Sequence, residues 1–398
     1  MCILAGFPVR NQCVYLMRIL HAFKVYTPDN HGGIVEAIAR ITAGTPGGDS
    51  ASLLVCRYMG LGSTIEVDGL PVERTTTLAQ FSSLPISPGF IPVFRRRVRD
   101  ADVIAFHAPF PLVDIGLFLG IPDNKALVIH WHAEITGRNL FRPIFHPLLK
   151  RSVERADCII VSHPSIVEQS EYLASHSAKC VVAPYGIDTD FWSNRTPEDD
   201  AMVSELRKRH PRLIVACGRL VPYKGFDVLL RALRHVDAHL VIAGTGPLEA
   251  ELRGVATASG VADRVTFAGY LSRAEQRQAF GAADLFVLPS VNEAEAFGIV
   301  QLEAMCSGIP VVNTSLPTGV PWVARDGLEG LTVAPRDEAA LAAAMSRLLD
   351  DPDLAKRLGA AGKARAVSLF GWRKFASDVA EQYRLAYSRR KALSQTAR

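Results

Sequence analysis

Short apolar runs alternate with helix-length stretches along almost the whole chain, and this alternation limits the fold more than any other feature. In the first half the runs read Arg18–Val25, Ser52–Arg57, Asp102–His107, Ala126–His132, Asp157–Ser162 and Cys180–Ala183. In the second half they read Arg212–Cys217, Ala238–Ala243, Arg264–Ala268, Asp284–Leu288 and Ile309–Asn313. They are rich in Val, Ile and Leu, as strands buried on both faces must be. Between them lie helical patterns such as Gly225–Val236, Glu249–Ser259 and Arg273–Ala282. Repeated βα units of this kind predict parallel, doubly wound sheets, with ligands bound at the C-terminal ends of the strands.

The series pauses between residues 188 and 200, around Pro197 and the acidic run Glu198-Asp199-Asp200. The chain is therefore expected to form two Rossmann-like domains, residues 17–190 and 191–370, facing a cleft. Beyond Asp337 the pattern is purely helical. Trp372, Phe375, Val379, Tyr383 and Leu385 fall at helical spacing, so residues 371–398 are read as a helix crossing back to the first domain.

Composition removes several classes. With 44 Lys and Arg against 40 Asp and Glu, the chain lacks the clustered positive charge of a bulk nucleic-acid binder. Seven scattered cysteines with no C-x-x-C pair argue for a reducing compartment, and so for a cytoplasmic protein without a disulfide frame or structural zinc. The longest uncharged stretch, Thr75–Phe94, contains Pro85, Pro88 and Pro92 and does not read as a membrane span. Residues 1–16 are unlike the rest of the chain and read as a non-native extension, with Met17 as the expected start.

Four constellations carry chemistry. After the first strand, Gly32-Gly33 opens a helix whose free N–H groups suit an anion, although a tight turn explains the pair equally well. At the first strand end of the second half, Gly218-Arg219 and Lys224-Gly225 place two cations in a loop that would suit a diphosphate. Glu295 and Glu303 flank Phe297-Gly298-Ile299-Val300, so that Glu303 falls on the Val300/Ala304 face of a helix, where a carboxylate needs a partner such as a ribose diol. His107, His130 and His132 stand at neighbouring strand ends, where imidazole can bind phosphate or move protons.

These blocks resemble a known family when taken in order. Gly32-Gly33 with Glu36, Trp131-His132-Ala-Glu134, Tyr185-Gly186-Ile187-Asp188, Gly218-Arg219 with Lys224-Gly225, Ile242-Ala-Gly244-Thr-Gly246-Pro247 and Glu295-x7-Glu303 are together similar to the family 4 retaining glycosyltransferases of the GT-B fold. The segment Leu316–Trp322 is similar to members that build bacterial surface polysaccharides such as lipopolysaccharide and exopolysaccharide.

The resemblance implies a retaining transferase that takes a hexose (mannose, glucose or galactose) from a nucleoside-diphosphate sugar to a glycan or polyprenyl-diphosphate-linked acceptor. It implies no cofactor and no metal. Arg219 and Lys224 match the diphosphate-binding pair, Glu303 the ribose ligand and Glu295 the acid at the donor sugar. Gly32, Gly33, Gly244, Phe297, Gly298, Ile299 and Val300 match donor-binding backbone. His132 matches the histidine at the sugar's reactive face, and His107 and Glu134 are placed in the acceptor groove. Tyr185 stands where the family often has Asn, and Glu134 where Asp is common. Asp188-Thr-Asp190 and Asp351-Pro-Asp353 spell D-x-D away from any sheet switch point and are read as coincidental.

Other readings remain at this point. A dehydrogenase is disfavoured because Gly244-Thr-Gly246-Pro-Leu-Glu249 ends in Glu and lies outside the first βα turn. A nucleotide-sugar epimerase or a non-catalytic sugar-nucleotide binder would share the architecture. The run Arg95-Arg96-Arg97-Val98-Arg99, beside the uncharged stretch, is expected to give a peripheral contact with an anionic inner membrane face.

Overall fold

The computed structural model describes residues 16–30, 32–81, 84–133 and 142–396. The proposed extension up to residue 15, and Glu134, lie outside the described residues. Two parallel sheets form the framework. The first is built from β1 Arg18–Ala22, β2 Ser50–Cys56, β3 Ser63–Val67, β4 Leu70–Thr75, β7 Val103–Ala108, β8 Ala126–Trp131, β9 Cys158–Val161 and β10 Cys180–Val182, in the order β10-β9-β8-β7-β1-β2-β4-β3. Only β3 runs antiparallel, to β4. The second is built from β11 Leu213–Cys217, β12 His239–Ala243, β13 Val265–Gly269, β14 Leu285–Val287, β15 Val311–Thr314 and β16 Gly330–Val333, in the order β13-β12-β11-β14-β15-β16. Every residue of β7, β8 and β9 is buried, which is why these segments read as unbroken apolar runs.

The eleven expected strands are all present, with ends shifted by a few residues. Three further strands of the two main sheets were not expected. β3 and β4 form a hairpin through Asp68-Gly69, both at positive φ, and β3 alternates between partly buried and exposed side chains. β16 is a short strand of four residues at the edge of the second sheet. A separate two-stranded hairpin, β5 Ala79–Phe81 with β6 Leu84–Ile86, occupies part of the uncharged stretch.

The rest of that stretch enters the Phe90–Asp100 helix, which turns Phe90, Phe94 and Val98 inward at i, i+4 and i+8. These three apolar residues therefore face the core. Two of the arginines, Arg96 and Arg97, pair with Glu73 of β4.

The Trp372–Thr396 helix lies against the first sheet, as expected. Tyr383 donates or accepts a 2.6 Å bond with His130, Arg384 pairs with Asp49, and Arg390 pairs with Asp157. The outgoing and returning chains bond to each other: Ile187 N–H donates to Phe370 O at 2.8 Å, and Trp372 N–H donates to Ile187 O at 2.9 Å.

Candidate active site

The site is built at the C-terminal edges of both sheets. After β11 the chain passes Gly218, makes a single turn over Pro222–Lys224, and reverses at Gly225. Gly225 has φ +66°, and a Cβ there would lie 2.1 Å from the Pro289 carbonyl, so no other residue fits. This turn brings Lys224 under the segment that follows β14. Its Nζ lies 2.5 Å from Oε2 of Glu295, and the Ser290 hydroxyl donates to the same oxygen at 3.0 Å. Both members of the pair are about one-tenth exposed. Burial alone would lower the Lys224 pKa, but the Glu295 carboxylate outweighs it and the net shift is upward. Lys224 is thus a fixed cation.

Gly298, at φ +72°, caps the Ile299–Cys306 helix, and the first residues of that helix line the same cavity as Lys224. One and a half turns in, Glu303 accepts a 2.7 Å bond from the Gln276 side-chain amide. Burial raises its pKa to about 7, with Arg273 and Gln276 opposing only in part. An open cavity of about 500 Å³ is lined by Lys224, Glu295, Phe297, Gly298, Ile299, Val300 and Glu303 of the second unit and by Gly33, His132 and Tyr185 of the first. A second hollow of about 380 Å³ adjoins it, walled by Gly32, Glu36, Asp188 and Glu303. The two units touch here: a Cβ on Gly33 would lie 2.9 Å from Cδ1 of Ile299.

The histidines form a different object from the one expected. His21 Nδ1 lies 3.0 Å from His107 Nε2, His107 Nδ1 lies 2.9 Å from His132 Nε2, and His132 Nδ1 lies 2.6 Å from the Tyr185 hydroxyl. The rings stack at the edge of neighbouring strands, His107 and His130 being register partners with centroids 4.5 Å apart. Burial holds His21 and His132 down to about 3 and pushes His107 and His130 well below the usual range, so all four are neutral.

His107, Gly244 and Arg219 lie elsewhere than expected, whereas His132 does border the cavity. His107 is fully buried behind His132 and does not reach an acceptor groove. Both ring nitrogens of His132 are bonded within the protein, so its ring borders the cavity without a free proton-transfer group. Gly244 lies behind Gly218 rather than in the cavity wall, since a Cβ on it would be 2.0 Å from the Gly218 carbonyl. Arg219 is exposed and outside the wall of the cavity, though near enough to Tyr223 to act on its phenol electrostatically. Ser290, Gln276, Tyr223 and His21 were missed. Ser290 had one usable signal, its place just after an apolar strand and five residues before Glu295. Among the described residues, no group of three or more His, Cys, Asp or Glu side chains is arranged to hold a metal ion.

Two facing α/β units with a cation, two separate carboxylates and a helix N-terminus at their common edge define a nucleotide-sugar transferase of GT-B architecture. Family models agree: Glycosyltransferase Family 4 matches residues 32–191, and Glycosyl transferases group 1 matches residues 198–365. The chain is 31% identical to D-rhamnosyltransferase WbpZ of Pseudomonas aeruginosa, over 89% of this chain and 92% of that one. It is 29% identical to O-antigen chain mannosyltransferase C of Escherichia coli, over 89% and 94%. Sucrose-phosphate synthase of Thermosynechococcus elongatus superposes with a TM-score of 0.76 at 21% identity, covering 94% of this chain and 99% of that one. Anabaena HepE in complex with UDP superposes at 0.73 and 21% identity, covering 92% and 99%. The chain belongs to the family 4 glycosyltransferases.

Proposed function

We propose that this glycosyltransferase moves a mannose-type hexose from a guanosine-diphosphate sugar to a glycan or lipid-linked acceptor, with retention at the anomeric carbon. The observation that carries the reading is Lys224 held against Glu295 near the start of the Ile299–Cys306 helix, in a cavity that Gly33 and His132 border from the other unit. Relatives named for mannosyl and rhamnosyl transfer, and others named as GDP-mannose-dependent enzymes acting on phosphatidylinositol mannosides, support the donor and acceptor classes.

In this reading the diphosphate lies over the helix N-terminus, with Lys224 at the leaving oxygen. Glu303 accepts from the ribose hydroxyls and Glu295 from a hydroxyl of the hexose. The bond from the anomeric carbon to the β-phosphate oxygen breaks, and an acceptor hydroxyl attacks the same face of the sugar. Its proton passes to the departing phosphate oxygen. Negative charge growing on the leaving group meets a preorganised cation and aligned backbone dipoles, which is why the proposal includes no metal. Arg219, exposed on the same loop five residues before Lys224, would reach the diphosphate by swinging its own side chain inward. A donor of this kind and a lipid-linked acceptor meet at the inner face of the cytoplasmic membrane, where the reaction is proposed to occur.

The test is a thermal-shift comparison of GDP, UDP and ADP, followed by transfer with the matching sugar and NMR assignment of the product anomer. Stabilisation by GDP and an α-linked product from GDP-mannose are expected. Preference for UDP would reassign the donor, and an inverted product would end the retaining assignment.

A further inference from the structure

On the first unit the donor cavity is bordered by Gly33 and by His132 and Tyr185, which follow β8 and β10. Further along the same sheet edge, the ends of β1, β2 and β4 carry charge that the donor site does not use. Lys24 stands two residues beyond β1, Arg57 directly follows β2, and Arg74 is the penultimate residue of β4.

Lys24 is the unpaired member. Its carbonyl accepts from the Cys56 N–H at 2.9 Å, which ties it to the end of β2. The ring of Phe23, the residue before it, lies 6.5 Å from that of His132 at the cavity. The Lys24 side chain is partly buried, yet among the described residues its ammonium has no hydrogen-bond or ion-pair partner. Burial lowers its pKa, and no carboxylate opposes the shift. The acid on the adjoining loop is already engaged. Asp29 accepts from Arg57 Nε at 2.6 Å and from the Tyr58 N–H at 3.0 Å, and its other oxygen lies 3.6 Å from Arg74. The segments that leave these three strands, residues 23–32, 57–62 and 76–89, contain no Asp or Glu other than Asp29. Glu73 of β4 is taken by Arg96 and Arg97. Three cations are thus set against one carboxylate.

We propose that Lys24, with Arg57, holds an anionic group of the acceptor, the diphosphate that joins a short glycan to its lipid. The inference rests on the reading of a lipid-linked acceptor and adds the residues that grip it. A partly buried ammonium without a partner gains much from an oxyanion, because each compensates the other's lost hydration. Arg57 spends Nε on Asp29 and Nη1 on the Leu61 carbonyl, which leaves Nη2 for the same anion. Phe23 places Lys24 close to His132, so an acceptor anchored there needs only a short glycan to bring its hydroxyl to the donor.

The experiment titrates farnesyl diphosphate, a short lipid diphosphate, by calorimetry into the full chain saturated with GDP, so that the donor site is filled. Wild type, Lys24→Met and Lys24→Arg are compared, with farnesol and inorganic pyrophosphate as further probes. One site per wild-type chain is expected, with affinity lowered at least about tenfold by Lys24→Met and less than about threefold by Lys24→Arg. Pyrophosphate should displace the probe, and farnesol should not bind. GDP should bind Lys24→Met as it binds wild type, which shows an intact fold. If wild type binds no GDP, the donor reading fails by itself, and the same titration without GDP decides this one. Equal binding to wild type and Lys24→Met, or no binding to wild type, would overturn the proposal. So would displacement by phosphatidylglycerol vesicles but not by pyrophosphate, since the site would then take a bilayer head group.

Discussion

Lys224 and Glu295 show how one contact can serve both stability and chemistry. Each is buried enough that removing its partner leaves an uncompensated charge, a loss of about 3–5 kcal/mol in comparable pairs. Lys224→Ala is therefore expected to lower kcat by about 100-fold or more through lost leaving-group stabilisation, and also to lower the thermal midpoint. Lys224→Met with Glu295→Gln, which removes both charges, should recover the midpoint but not kcat. Recovery of both would show that the pair is structural only. Glu303 gives a pH signature. With its pKa raised to about 7 by burial, it is largely protonated in the empty cavity below neutrality. If it accepts from the ribose, GDP affinity should rise as pH increases through about 7, and Glu303→Gln should flatten that dependence. The buried imidazoles act on stability with the opposite chemistry. Unfolding restores their ordinary value of 6.5, while His21 and His132 stay near 3 when folded. Below pH 6.5 the unfolded chain thus binds protons that the folded chain cannot. Stability is expected to fall as pH drops from about 6.5 towards 3, as a denaturation series across that window would show.

Elements explain what the sequence could and could not reveal. The Glu295–Glu303 block was legible because its geometry is local: a capping glycine, one helix and a spacing that fixes which face each residue takes. The β-strands buried on both faces were legible for the same reason, since each carries its own apolar run. The histidine chain was not, because its bonds join residues 86, 25 and 53 positions apart, which only the pairing of β1, β7 and β8 and the return of the chain after β10 bring together. The β3–β4 hairpin was missed although Asp68-Gly69 is a recognised turn signal, because half of β3 is polar and the parallel pattern around it dominated. The turn at Gly225 makes a testable element. Gly225→Ala must force a Cβ against the Pro289 carbonyl at positive φ, so a stability loss of at least about 1–3 kcal/mol is expected, with kcat falling as Lys224 shifts. Denaturant titration and steady-state kinetics on one preparation would check both. Wild-type stability would mean that the turn relaxes and does not position Lys224.

At the scale of the molecule, two sheets are joined by two crossings that hydrogen-bond to each other, at Ile187 and at Phe370–Trp372. Bending there would move the first unit, with the Trp372–Thr396 helix fixed to it through Tyr383–His130, over the second as one body. Donor binding is expected to close the cleft, bringing Gly33 onto the sugar, and to shrink the radius of gyration measured by X-ray scattering. The whole account depends on the cavity around Lys224 and Glu303 being where a nucleoside diphosphate binds. Calorimetric titration of GDP into wild type, Lys224→Ala and Glu303→Ala tests this most directly. One site per chain, weakened at least tenfold by each substitution in folded protein, is the expected result. Binding left unchanged by both, or no binding of any nucleoside diphosphate, would contradict it.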